Sequence, residues 1–207
     1  LAVAKKLPDS HRQTVTGSWA GNSHGMDMHT ITGKTVGIIG FGNIGKLVAK
    51  KLKGFDVNIL YHDIVRADEA TEKELNATAV SLSDLLTASD IVTLHLHETE
   101  TTKGIIGRKE FARMKPSAIF INVSRAGLVD QQAFFETLRD KKIMGAGIDV
   151  YPKEPTEPND PLLQLPYIVA TPHMGGSTHD TYHTVMKKIK ENFDRVAEGL
   201  PPLWVVN

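Results

Sequence analysis

The 207-residue sequence has no cysteine. That absence excludes a disulfide scaffold, a thiolate nucleophile and the Cys-based zinc sites, and leaves any redox chemistry to a bound cofactor. Excess charge of one sign is missing too. Lys plus Arg and Asp plus Glu both total 24, so no global field favours nucleic acid or a membrane surface. The most apolar runs, 36–39 and 91–96, fall far short of a bilayer span, and no signal-peptide pattern opens the chain. The expectation is a cytoplasmic protein with one well-cored domain and an appended arm. Its partner should be a small molecule or another protein chain, with no nucleic acid, membrane or metal.

The chain opens on Leu1-Ala-Val-Ala-Lys-Lys-Leu-Pro8, which reads as the tail of a helix stopped before a proline and as a piece of something longer. Residues 9–33 are polar and rich in Gly, Ser and His without a sustained period, which predicts an extended arm with Trp19, Met26 and Met28 as anchors. From Lys34 the pattern changes. Short β-branched or aliphatic runs at 35–39, 57–61, 78–80, 91–96, 118–123, 145–150 and 167–170 predict strands. Helical patterns lie between them at 44–53, 82–88, 109–114 and 131–141, the last with Asp130 as N-cap. Several strands are apolar throughout, as in a parallel sheet covered on both faces, so the fold class is α/β, a doubly wound Rossmann sheet over 34–199. Residues 152–166 hold five of the ten prolines and must be a loop. Ser177 or Thr178 can cap a final helix reaching about Glu198, stopped by Gly199 and Pro201-Pro202.

Gly40-Phe41-Gly42-Asn43-Ile44-Gly45 follows the first strand and opens a helix. The first glycine permits a tight turn, the second lets backbone approach a pyrophosphate, and the third lets helix and strand pack closely, with the helix N-terminus facing the anion. Such a turn alone is weak evidence. The second strand strengthens it by ending in Asp63, about 20 residues on, where a carboxylate can accept from adenosine ribose hydroxyls. An acid there also repels a 2′-phosphate, so NAD is favoured over NADP, although Arg66 is close by. The alternative is that Asp63 only caps the next turn.

In an open parallel sheet the ligand lies beyond the carboxyl ends of the strands. That points to His95, His97, Ser124, Arg125, residues 149–154 and His173 as the groups for chemistry. Taken singly each has a plain structural alternative, such as a surface ion pair for Arg125 or a solvated loop position for Glu154. Position alone leaves His95 and His97 as rivals of His173 for an acid/base role. His179 and His183, at i and i+4, could chelate a metal, but no Glu or Cys lies nearby in sequence, and ordinary helix residues are the plainer reading.

Four stretches, Gly33-Lys-Thr-Val-Gly-Ile-Ile-Gly-Phe-Gly-Asn-Ile-Gly45, Met114-Lys-Pro-Ser-Ala-Ile-Phe-Ile-Asn-Val-Ser-Arg-Ala-Gly-Leu-Val-Asp130, Gly145-Ala-Gly-Ile-Asp-Val-Tyr-Pro-Lys-Glu-Pro155 and Thr171-Pro-His-Met-Gly-Gly-Ser-Thr178, together resemble the D-isomer-specific 2-hydroxyacid dehydrogenases, the family of phosphoglycerate, glycerate and D-lactate dehydrogenases. The resemblance implies an NAD-dependent hydride transfer between nicotinamide and a small D-2-hydroxy acid or 2-oxo acid. It places Arg125 on the substrate carboxylate and carbonyl, His173 as general acid/base, and Glu154 as the partner of His173. Asp149 would meet the nicotinamide side. Leu96, Val123, Ser124, Gly175 and Gly176 would line the cofactor beside Gly40, Gly42, Asn43, Ile44, Gly45 and Asp63. His97 stands where the family usually has proline.

Family members carry an N-terminal substrate domain that this sequence lacks, and Val205-Val206-Asn207 resembles the return into it. The arm, with Trp19-Ala20-Gly21 and His24-Gly-Met-Asp-Met-His29, resembles the segment that embraces a second subunit, which implies a homodimer. A non-catalytic NAD-binding dimerisation module is the alternative function. Joint retention of Arg125, Glu154 and His173 favours an enzyme.

Overall fold

The computed structural model describes residues 1–19, 21 and 25–205. It divides into two compact units, 1–172 and 173–207. Ala20, His24, Val206 and Asn207, invoked above for the arm and the return segment, lie outside the described residues.

The first unit opens with helix α1 (Leu7–Val15). Strand β1 (Thr35–Ile39) leads through the glycine turn into α2 (Asn43–Leu52). There follow β2 (Asn58–His62), α3 (Glu69–Leu75), β3 (Ala77–Ala79), α4 (Leu82–Ala88), β4 (Ile91–Leu94) and the single turn α5 (Arg108–Phe111). β5 (Ile119–Asn122), α6 (Gln131–Arg139), β6 (Gly145–Ile148) and β7 (Ile168–Ala170) complete it. All seven strands pair in parallel in the order β3-β2-β1-β4-β5-β6-β7. The chain winds outward in both directions from the β1/β4 junction, the switch point of a doubly wound sheet.

Alternation along β1 shows how the sequence builds two layers. Val36 and Ile38 enter a core with Ala49 of α2 and Leu75 of α3. Ile39 points the other way, into a core with Leu85, Leu86, Phe111 and Phe134. Burying such side chains stabilises by roughly 1.5–3 kcal/mol each. In the second core the rings of Phe111, Phe120 and Phe134 meet with centroids 5.2–5.6 Å apart.

Two local expectations need correction. Pro8 does not end a helix; it sits in the first turn of α1, where a missing N–H costs nothing because no intrahelical acceptor awaits it. Residues 9–15 are accordingly helical, and residues 2–6 ahead of α1 are in turns. There Val3 lies against Gly145 and Gly147, and Ala4 is buried. α3 was absent from the expected elements because only Leu75 of its seven residues is buried, which leaves no apolar period to read.

The second unit is dominated by α7 (His179–Ala197), capped by Thr178, whose hydroxyl accepts from Thr181 N at 3.0 Å. It ends at Gly199 in the left-handed region. Asn192 on α7 bonds both backbone groups of Leu203, and Lys188 stands over the Trp204 ring. Tyr182, Val185, Met186, Ile189 and Phe193 form an exposed apolar stripe along the helix. Among the described residues no helix is long and apolar enough to cross a membrane.

Candidate active site

The glycine turn joins β1 to α2 at the switch point, and its three glycines meet different surroundings. Gly40 has φ +92°, and a Cβ there would fall 2.7 Å from the His95 carbonyl. A Cβ on Gly45 would fall 2.2 Å from the Gly40 oxygen. Both positions are closed by backbone, so only glycine fits. Gly42 differs: a Cβ built there meets nothing within 4 Å. It is also the N-cap of α2, with no side-chain cap and no acid in the first turn. An open approach onto an uncapped helix N-terminus fits a dinucleotide pyrophosphate. Asn43 and Ile44 stand exposed at the mouth of the turn.

Asp63 follows β2 and faces this turn. Its Oδ2 accepts from Phe41 N at 2.6 Å and its Oδ1 from Val65 N at 3.1 Å. The capping role foreseen as the alternative therefore exists, and it holds the carboxylate beside the second residue of the glycine turn. Below, Phe41 stacks on Tyr61 with ring centroids 3.9 Å apart. Arg66 is engaged by Glu72 through two bonds of 2.9 Å.

Next to β1, His95 N donates to Ile39 O as the chain leaves β4. The His95 ring lies 3.1 Å from the Thr93 hydroxyl, and burial pushes its pKa down to about 4. It is therefore neutral at physiological pH, which argues against it as a proton donor there. Leu96 is half-buried, and His97 is exposed with its carbonyl accepting from the Thr102 hydroxyl.

At the end of β5 the Ser124 hydroxyl donates to Leu94 O at 2.7 Å, joining the ends of β4 and β5. Val123 is exposed. Arg125 has an exposed side chain, with Nη1 donating to Ser124 O. Its backbone is set by Asn122, 4% exposed, whose Oδ1 accepts from Ser124 N while Nδ2 donates to Arg125 O at 2.9 Å. Sequence reading overlooked this residue. Its one signal was a polar amide closing an otherwise apolar strand.

At the end of β6, Asp149 is buried and accepts from the Thr171 hydroxyl, while its N–H donates to Asn122 O. Glu154 accepts from Tyr151 N at 3.0 Å. Burial pushes the Tyr151 phenol up, and the negative charges of Asp149, Glu154 and Asp160 add to that. The first unit thus gathers the turn, Asp63, Leu96, Ser124, Arg125, Asp149 and Glu154 at the carboxyl ends of its strands.

His173, Gly175 and Gly176 belong to the second unit. His173 has φ +50°, a conformation rare for residues other than glycine and one that recurs at functional sites. Ser177 N donates to Met174 O, closing the turn before α7, and a Cβ at Gly176 would meet nothing within 4 Å. The His179 and His183 rings meet edge to face at 4.5 Å. Among the described residues no three His, Asp or Glu side chains cluster as metal ligands would.

Residues 1–175 match the family described as D-isomer specific 2-hydroxyacid dehydrogenase, NAD binding domain. The chain is 39% identical over 209 residues to a glyoxylate reductase of Korarchaeum cryptofilum, covering all of this chain and 63% of that protein. It is 37% identical over 208 residues to a D-3-phosphoglycerate dehydrogenase of Archaeoglobus fulgidus, covering all of this chain and 39% of that one. Among solved structures, D-lactate dehydrogenase with NAD+ from Lactobacillus jensenii superposes with a TM-score of 0.87 at 27% identity, covering all of this chain and 65% of that one. The chain therefore spans less than two thirds of the length of these relatives. Their names lend no support to a non-catalytic scaffold. The Rossmann sheet, the turn at its switch point and the family match together assign this chain to the D-isomer specific 2-hydroxyacid dehydrogenases, as an NAD-binding domain.

Proposed function

We propose that the chain is the cofactor-binding part of a cytoplasmic, homodimeric oxidoreductase that moves hydride between nicotinamide and a small D-2-hydroxy acid or 2-oxo acid. The observation that carries the reading is the open Gly42 between two closed glycines, with the Asp63 carboxylate held beside it. NAD, when bound, supplies the hydride acceptor. The chain's own groups do the rest. The Gly40–Gly45 turn, with Asn43 and Ile44, receives the pyrophosphate, and Asp63 accepts from the ribose hydroxyls. Leu96, Val123, Ser124, Gly175 and Gly176 line the cofactor, with Asp149 on the nicotinamide side. Arg125 presents a fixed-charge fork to the substrate carboxylate and carbonyl. His173 takes the hydroxyl proton when C2 loses its hydride and returns it in the reverse direction. Glu154 supports the imidazolium form of His173.

The arm supports dimerisation through its surface. α1 buries none of its residues, and Trp19 and Met26 are 87% and 86% exposed. Exposed large apolar side chains of this kind mark interaction sites.

The test is NADH oxidation with glyoxylate, hydroxypyruvate and pyruvate. It is run on the chain alone and on the chain fused to the part of the Korarchaeum glyoxylate reductase that it does not span. The expected result is NADH binding by both and turnover by the fusion. Replacing the acid/base as His173→Gln should lower turnover by roughly 10²–10⁴-fold with NADH affinity kept. A fusion that binds NADH but reduces none of the three acids overturns the reading.

A further inference from the structure

NAD and NADP differ by one phosphate on the adenosine 2′-oxygen, and a protein separates them by the charges it presents there. The turn after β2 carries two opposed charges. Asp63 repels that phosphate, and Arg66, three residues on, is of the type that grips one with two parallel bonds.

Arg66 already has a carboxylate in its fork. Its Nε donates to Glu72 Oε1 and its Nη2 to Glu72 Oε2, both at 2.9 Å. Glu72, on α3, is fixed from the other side by the Tyr61 hydroxyl, which donates to Oε1 at 2.6 Å. The same phenol oxygen accepts from Ala67 N at 3.0 Å, and the Tyr61 ring is buried under Phe41. Consequently the Glu72 side chain is 14% exposed and that of Arg66 is 70% exposed. The acid is the anchored member, and the arginine is brought to it. Hydrogen bonds from Arg66 and then from Tyr61 hold the Glu72 carboxyl down at about 2, so the acid stays ionised at any working pH.

From this geometry we infer that Glu72 is a positioning residue for cofactor choice: by holding the Nε–Nη2 edge of the Arg66 guanidinium and countering its charge, it keeps that cation from a 2′-phosphate and reinforces Asp63 in selecting NAD. The inference rests on the NAD reading given above. It adds a residue outside the glycine turn and the ribose-binding acid, acting only through Arg66.

The experiment measures dissociation constants of NADH and NADPH by calorimetry for the wild-type chain, Glu72→Gln, Arg66→Ala and the double variant. Glutamine keeps an acceptor for Tyr61 but gives up the charge. Glu72→Met, of similar volume, replaces it if the amide variant proves unstable. The wild type should bind NADH about tenfold or more tightly than NADPH, a gap of roughly 1.4 kcal/mol per factor of ten. Glu72→Gln should tighten NADPH about tenfold, on the order of one charge-assisted contact, and move NADH less than about twofold. Arg66→Ala alone should change neither by more than about twofold, and the double variant should bind NADPH as weakly as the wild type. An NADPH/NADH ratio that ignores Glu72→Gln and Glu72→Met overturns the inference. So does a gain that survives loss of Arg66, or a wild type without preference for NADH. A wild-type chain that binds neither dinucleotide overturns the NAD reading itself, and this inference with it.

Discussion

His95 leaves β4 beside the glycine turn, and its surroundings separate it from the histidine proposed for proton transfer. An unfolded imidazole titrates near 6.5, whereas burial holds this one at about 4. Between those values the unfolded chain binds a proton that the folded chain refuses. The ring's contribution to stability is therefore complete above about pH 6.5 and declines as the pH falls toward 4. Urea midpoints measured at about pH 7 and about pH 4.5 should fall for the wild type and fall less for His95→Gln. Equal drops in both would show that this ring is not the source. Residues of this kind were only partly legible in the sequence. Gly40, Gly45 and Asp63 could be read because spacing along the chain is their signal. Asn122 could not, because its importance lies in where its two amide ends go, to Ser124 N and Arg125 O. Glu72 was hidden for a similar reason: its three donors, the Tyr61 hydroxyl and Arg66 Nε and Nη2, meet only once β2 and α3 are packed.

The glycine turn works as an element, and its glycines should fail differently when replaced. Gly42 has φ −74° and open space in the Cβ direction, so Gly42→Ala should change stability by less than about 0.5–1 kcal/mol. It should still weaken NADH binding about tenfold or more, because the added methyl stands where the pyrophosphate must approach. Gly45→Ala places its methyl on the Gly40 carbonyl and should cost roughly 1–3 kcal/mol or more before any ligand is added. Thermal melts and NADH titrations of both variants check this; an unstable Gly42→Ala with normal NADH affinity would contradict it. The strands were legible to within a residue or two because β-branched runs with two buried faces are hard to mistake for anything else. β4 stops at Leu94, short of the expected 96, where the chain turns away beside the glycine turn. The exposed elements were harder. α3 carries its structure in polar residues and one cap, Asp68, and α1 has in its first turn a proline that also reads as a stop.

For the whole molecule, composition and element order were enough to give the doubly wound class, since a run of strands mostly alternating with helices leaves few other solutions. Quaternary structure is a different matter, because a surface is built from residues that no periodicity groups together. The homodimer proposed from α1, Trp19 and Met26 predicts a mass of twice 22.7 kDa by light scattering at micromolar concentration. Trp19→Ala should shift that mass toward the monomer, and a wild-type monomer would rule the proposal out. The first residues matter to the sheet as well as to any partner. β6 has glycines at 145 and 147, and Cβ atoms there would meet Tyr167 O at 2.5 Å and Ile121 Cδ1 at 2.9 Å, with Val3 methyl groups 3.0 and 3.7 Å away. A strand with so little of its own to pack is a weak one. Val3 of the N-terminal turn therefore supplies packing that β6 does not supply for itself. Shortening that side chain, as in Val3→Ala, would loosen the strand that leads to Asp149 without touching the dinucleotide turn on the opposite side of β4 and β5.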